Sequence, residues 1–145
     1  MRVLVTGSRK WTDTRTIFDQ LRGLPSDSII CHGGAPGADT IAGQIAKLLH
    51  LQVVCYPAEW KRHGRRAGPI RNQLMLDDFK PELVLAFPGP DSVGTWDMVD
   101  RAEAAGVLYV IDGGPASSPR QSVARRSLHS EPSGQSSNDQ AAAAD

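Results

Sequence analysis

Short apolar runs alternate along the chain with segments whose apolar residues recur every three or four positions. Five runs read as strands: Arg2–Thr6, Ser28–His32, Gln52–Tyr56, Leu83–Phe87 and Val107–Ile111. Most are continuous rather than alternating, the pattern of strands buried on both faces beneath helices. The segments between them read as helices. Asp13 can cap a first one, whose Ile17, Phe18 and Leu21 share a face. Asp39 opens a second, with Ile41, Ile45, Leu48 and Leu49 at helical spacing. Pro69 suits the first turn of a third, which carries Ile70, Leu74 and Phe79. Thr95 opens a fourth, with Val99, Ala102 and Ala105, and Gly106 stops it. Strand, helix, strand in repetition predicts an α/β fold: a Rossmann-like, doubly wound, three-layer domain on a five-stranded, mainly parallel sheet.

The pattern ends near residue 113. Residues 114–145 are dominated by Ser, Pro, Gln, Ala and Arg, with only Val123 and Leu128 as larger aliphatics. Such a segment buries too little apolar area to offset chain entropy, so a disordered tail is expected after one domain spanning residues 1–113. Sixteen basic residues balance sixteen acidic ones, which excludes a globally basic nucleic-acid coat but leaves room for a local patch. The sequence holds neither a membrane-length apolar run nor a visible signal peptide, so a cytoplasmic location is expected. Cys31 and Cys55 lie in strand-like runs and read as small core residues; neither a disulfide nor a metal site is expected.

In doubly wound folds ligands bind beyond the carboxyl ends of the strands. The candidate chemistry gathers there. The first strand ends in Thr6-Gly7-Ser8-Arg9, the second in His32-Gly33-Gly34-Ala35-Pro36-Gly37-Ala38-Asp39, and the fourth in Phe87-Pro88-Gly89 with Gly94-Thr95 beyond. Gly33, Gly34, Gly37 and Gly94 lack Cβ atoms, so their backbone can approach a ligand closely. The helices that follow offer free N–H groups and positive dipole ends, and Ser8 and Thr95 add hydroxyls. Together these predict an anion site. The chain lacks a P-loop, and its first turn lacks G-x-G-x-x-G, which disfavours ordinary NAD binding. Lys61, Arg62, His63, Arg65, Arg66 and Arg71 concentrate positive charge after the third strand. Arg71 is expected in the first turn of its helix, where a cation opposes the macrodipole and so points to an anionic partner. Asn72 beside it can both donate and accept. Trp60 can stack on a base, and Gly64 and Gly68 let the segment bend as a lid.

In order and spacing, Thr6-Gly7-Ser8-Arg9, His32-Gly33-Gly34-Ala35-x-Gly37-Ala38-Asp39, Trp60, Ala67-Gly68-x-x-Arg71-Asn72 and Gly94-Thr95 resemble the small YspA- and YpsA-related proteins of the SLOG superfamily. The resemblance implies a Rossmann-like domain with a pocket for a nucleotide or nucleotide-derived ligand, and related domains often form homo-oligomers. The superfamily includes the Lonely Guy phosphoribohydrolases and DNA-processing protein A. The hydrolases' Arg-x-x-x-Met segment is matched by Arg71 to Met75. Their Pro-Gly-Gly-x-Gly-Thr-x-x-Glu loop is similar to Pro88-Gly89-x-x-x-x-Gly94-Thr95-x-x-Met98, but here the loop is longer and Met98 stands in place of the acid. Asp97 is adjacent, about 100° around the helix.

The expected function is therefore binding of a nucleotide-derived small molecule as a sensor or sequestering module, with no cofactor implied. The ligand-binding candidates are Gly7, Ser8, Arg9, Gly33, Gly34, Gly37, Ala38, Asp39, Trp60, Gly68, Arg71, Asn72, Gly94 and Thr95. The alternative is N-glycosidic hydrolysis, with Arg71 on the phosphate or developing charge and Asp39 or Glu59 as acid and base. A further alternative is single-stranded nucleic-acid binding through the basic segment and Trp60. No membrane partner is expected.

Overall fold

The computed structural model describes residues 1–112. The expected tail lies outside the described residues. Strand β1 (Arg2–Gly7) is followed by helix α1 (Thr14–Leu21), β2 (Ile29–His32), α2 (Ala38–Leu48) and β3 (Gln52–Cys55). Next come a short helix α3 (Trp60–His63), a 3₁₀ turn (Gly64–Arg66), α4 (Ala67–Leu74) and a π-helical turn (Met75–Phe79). The chain closes the domain with β4 (Leu83–Phe87), α5 (Val93–Ala104) and β5 (Leu108–Ile111).

The five strands lie in the order β3-β2-β1-β4-β5, and every pair is parallel. This is the Rossmann-like doubly wound arrangement expected from the alternation. Successive residues of β1 point to opposite faces. Val3 and Val5 join Ile17, Leu21, Ala42, Ile45 and Phe87 beneath α1 and α2. Leu4 joins Met75, Phe79, Val84, Met98 and Val99 beneath α4 and α5. Both faces of the central strands are thus covered, and the layers number three.

The helix ends show how local chemistry sets the boundaries. Asp13 caps α1, its side chain accepting from the Thr16 N–H. Helix α2 starts one residue before Asp39, behind Gly37 at φ +78°. Gly106, at φ +75°, follows the last turn of α5.

Three expectations need correction. Strand β3 is apolar but not doubly buried: it is an edge strand, and Val54 and Cys55 are exposed. Only Cys31 is a core thiol; burial pushes its pKa up to about 12. Arg71 is not in a first turn. Helix α4 begins at Ala67 and runs on into the π-helical turn ending at Phe79, so Arg71 lies within the helical stretch, past its first turn. The physical reason for its position is a set of hydrogen bonds described below.

Among the described residues no helix is long and apolar enough to cross a membrane.

Candidate functional site

The sheet reverses its winding between β1 and β4, and their carboxyl ends diverge there. A cleft of about 560 Å³ opens above that point. It is lined by Thr6, Gly7 and Ser8 at the end of β1, by Ala35 and Asp39 at the start of α2, by Ser92 to Thr95 and Asp97 at the start of α5, and by Trp60, Arg65, Gly68 and Arg71 from the segment between β3 and β4. The volume lies in the range typical of small-molecule sites.

The turn from β2 to α2 is closed by the protein's own groups. Asp39, buried, accepts through Oδ2 from the Gly33 N–H at 2.9 Å and the Ala35 N–H at 3.3 Å. The Gly34 N–H donates to His32 Nδ1, and the Ala38 N–H donates to the Ser8 carbonyl. An internal carboxylate therefore occupies the turn where an external anion was expected. The glycines serve packing instead. A Cβ on Gly33 would fall 2.1 Å from Arg71 Nη1, and one on Gly37 would fall 2.3 Å from the Ser8 carbonyl oxygen. Burial raises the Asp39 carboxyl to about 6, against the opposing pull of those two N–H groups and of Arg71 and Arg9. His32 is pushed the other way, its pKa lowered mainly by burial.

The turn from β4 to α5 is open. The Gly89 N–H donates to Ser92 Oγ, which fixes the loop. The first helical bond runs from the Trp96 N–H to the Ser92 carbonyl, and no side chain caps the helix. The N–H groups of Val93, Gly94 and Thr95 therefore precede the helical ladder, at its positive end. A Cβ on Gly94 would meet nothing within 4 Å.

Polar side chains join the two walls. Arg71 Nη1 donates to the carbonyls of Gly33 (2.7 Å) and Tyr56 (3.3 Å), and its Nε donates to Asn72 Oδ1. Buried Asn72 donates from Nδ2 to the Gly94 carbonyl and to Asp97 Oδ2 at 2.9 Å. Arg101 Nε closes on the same Asp97 oxygen at 2.8 Å. Arg71 thus ties β2 and β3 to α4, and Asn72 ties α4 to the first turn of α5.

Of the residues expected to bind ligand, Gly7, Ser8, Arg9, Asp39, Trp60, Gly68, Arg71, Asn72, Gly94 and Thr95 line the cleft. Gly33, Gly34, Gly37 and Ala38 stand behind its wall, and Glu59 is at the surface, paired with Arg62. Gly68 is helical rather than a hinge, packed below the Trp60 ring. Lys10, Arg65, Ser92 and Asp97 also line the cleft. Of the adjacent pair Asp97 and Met98, Asp97 lines the cleft, while Met98 turns inward and is fully buried.

Fold and cleft together define a Rossmann-like α/β domain with a cleft at its switch point. Over residues 1–63 the sequence matches the YspA, cpYpsA-related SLOG family, YAcAr. It is also 37% identical over 118 residues to the Gene 61 protein of Mycobacterium phage D29, an alignment covering 75% of this chain and 94% of that protein. The chain belongs to the YspA-related SLOG family. Among solved structures it is similar to DNA processing protein A (DprA) from Streptococcus pneumoniae, with a TM-score of 0.65 and 19% identity. That likeness covers 90% of this chain and 56% of the other, so the chain spans little more than half the length of that protein.

Proposed function

We propose that the domain binds a nucleotide or nucleotide-derived ligand in this cleft, as a sensor or sequestering module. The uncapped first turn of α5 carries the reading: Gly94 faces open space, and Arg9, Lys10, Arg65 and Arg71 share the cleft with it. An anion seated there meets unpaired N–H groups, a positive dipole end and cationic side chains. Half-exposed Trp60 at the rim offers a ring face to a base. Family membership supports the same reading. The test is a thermal-shift and calorimetric panel of nucleoside phosphates and ADP-ribose, with a folded Gly94→Val variant as control. Binding that survives in the variant would refute the placement.

One observation favours a second reading, hydrolysis of an N-glycosidic bond. An acid does face the cleft, as Asp97 rather than residue 98. Incubation with nucleoside monophosphates followed by chromatography decides: free base lost in Asp97→Asn would make the protein an enzyme. The exposed cations of α3 and its 3₁₀ turn beside Trp60, and the name of the DNA-processing neighbour, support a nucleic-acid reading that a salt-dependent gel shift would reveal. Self-association is a separate proposal, supported by the exposed edge strand β3 and checked by light scattering.

A further inference from the structure

Asp39 has one carboxylate oxygen to spare. Both of its hydrogen bonds from the β2–α2 turn end on Oδ2. The residue is only 5% exposed, yet it lines the cleft. Among the described residues no donor reaches Oδ1, and the atom is not sealed from solvent, since the one buried side-chain polar atom without a partner is Ser28 Oγ. A nearly buried carboxylate therefore presents a bare acceptor into the cleft.

A carboxylate repels phosphate, so the ligand's anionic group must lie at the other wall, on the first turn of α5. What meets Asp39 must be a neutral donor. In a nucleotide, the donors one short span from the phosphate are the sugar hydroxyls. On the nucleotide-binding reading, we infer that Asp39 Oδ1 accepts a hydrogen bond from a ribose hydroxyl, so that the cleft selects ribonucleotides over their deoxy counterparts.

Two features make the selection strong. Oδ2 is pinned by two backbone N–H groups, so Oδ1 is fixed in place before the ligand arrives. A ligand without the hydroxyl leaves a desolvated carboxylate oxygen with no partner, a costlier loss than that of an exposed hydrogen bond.

The test is calorimetry at pH 7.5 with a ribonucleoside monophosphate and its 2′-deoxy and 3′-deoxy analogues. Wild type should bind the ribonucleotide on the order of 10- to 100-fold tighter than one of the analogues, as expected for a hydrogen bond to a charged group. Asp39→Asn keeps an oxygen for the turn and places an amide in the cleft, so the preference should shrink to within about threefold for lack of the charge-assisted bond. Equal wild-type affinity for all three nucleotides overturns the inference and leaves the nucleotide reading standing. So does a preference that persists undiminished in Asp39→Asn. Binding of none of them overturns the nucleotide reading itself, and the inference with it. The wild-type comparison stands whether or not the variant folds.

Discussion

The two glycine-rich turns carry the same signal in sequence and do different things in space. At the β2–α2 turn, the room left by absent side chains is filled by the protein: the Arg71 guanidinium at Gly33 and the Ser8–Arg9 backbone at Gly37. The N–H groups there are taken by Asp39, His32 and Ser8. At the β4–α5 turn, Gly94 faces nothing, and the helix end is uncapped. A glycine can therefore mark close packing within a wall or open access to a ligand. The two are separated by asking which groups already satisfy the nearby donors.

Substitutions at four positions can break or sharpen this contrast. The largest loss of stability is expected from Gly37→Ala. Its φ of +78° is strained for any side chain, and the new Cβ would strike backbone at 2.3 Å. We expect a loss of about 3 kcal/mol or more, a fall in Tm of roughly 10 °C by calorimetry. A Tm within a degree or two of wild type would show that the turn is not close-packed.

Arg71→Ala comes next, since it strips a donor from the Gly33 and Tyr56 carbonyls. A loss of about 1–3 kcal/mol in denaturant unfolding is expected, and Arg71→Lys should recover only part, lacking the planar fork. If ligand affinity falls while stability does not, Arg71 belongs to the ligand rather than to the wall.

Asp39→Asn should act in the opposite direction. Burial outweighs the N–H groups and the cations Arg71 and Arg9 that face the carboxyl, so the folded chain holds this proton more tightly than the unfolded one. Stability from Asp39 is then greatest below about pH 4 and is lost as pH rises through about 6. The variant should be more stable than wild type at pH 7.5 by roughly 1–2 kcal/mol, with the gap closing toward pH 4. A gap that widens on acidification would reverse the sign of the shift.

Gly94→Val should barely move the melting curve, within about 0.5 kcal/mol, because it meets no neighbour. It should nevertheless remove nucleotide binding. A destabilised Gly94→Val would place both turns in the same class.

The alternation of apolar runs and helical periods was enough to read the parallel sheet and its covering helices, because the central strands β1 and β4 are buried on both faces and carry no polar code to confuse. Strand β3 has the same composition but lies at an edge, and apolar content alone cannot report what covers a face. The start of α4 was displaced because Trp60–Arg66 forms two short turns that no periodicity marks. Asp97 is legible in the sequence as the acid about 100° around the helix from Met98, but that angle alone does not say which of the two sides faces the cleft. The occupation of the β2–α2 turn by Asp39 depends on where a side chain folds back, which spacing does not encode.

The parallel ladder has a consequence for how the domain comes into being. Strand β1 pairs with β2 on one side and with β4 on the other, where Val3 lies beside Leu83 and Gly7 beside Phe87. The first pairing can form early in synthesis; the second joins residues about eighty positions apart and must wait until some fifty more have left the ribosome. Closing so long a loop costs chain entropy before any contact repays it, which slows folds of this kind. The cleft stands on that last junction, between the ends of β1 and β4. A nascent or truncated chain that stops short of β4 has its first glycine turn and no cleft.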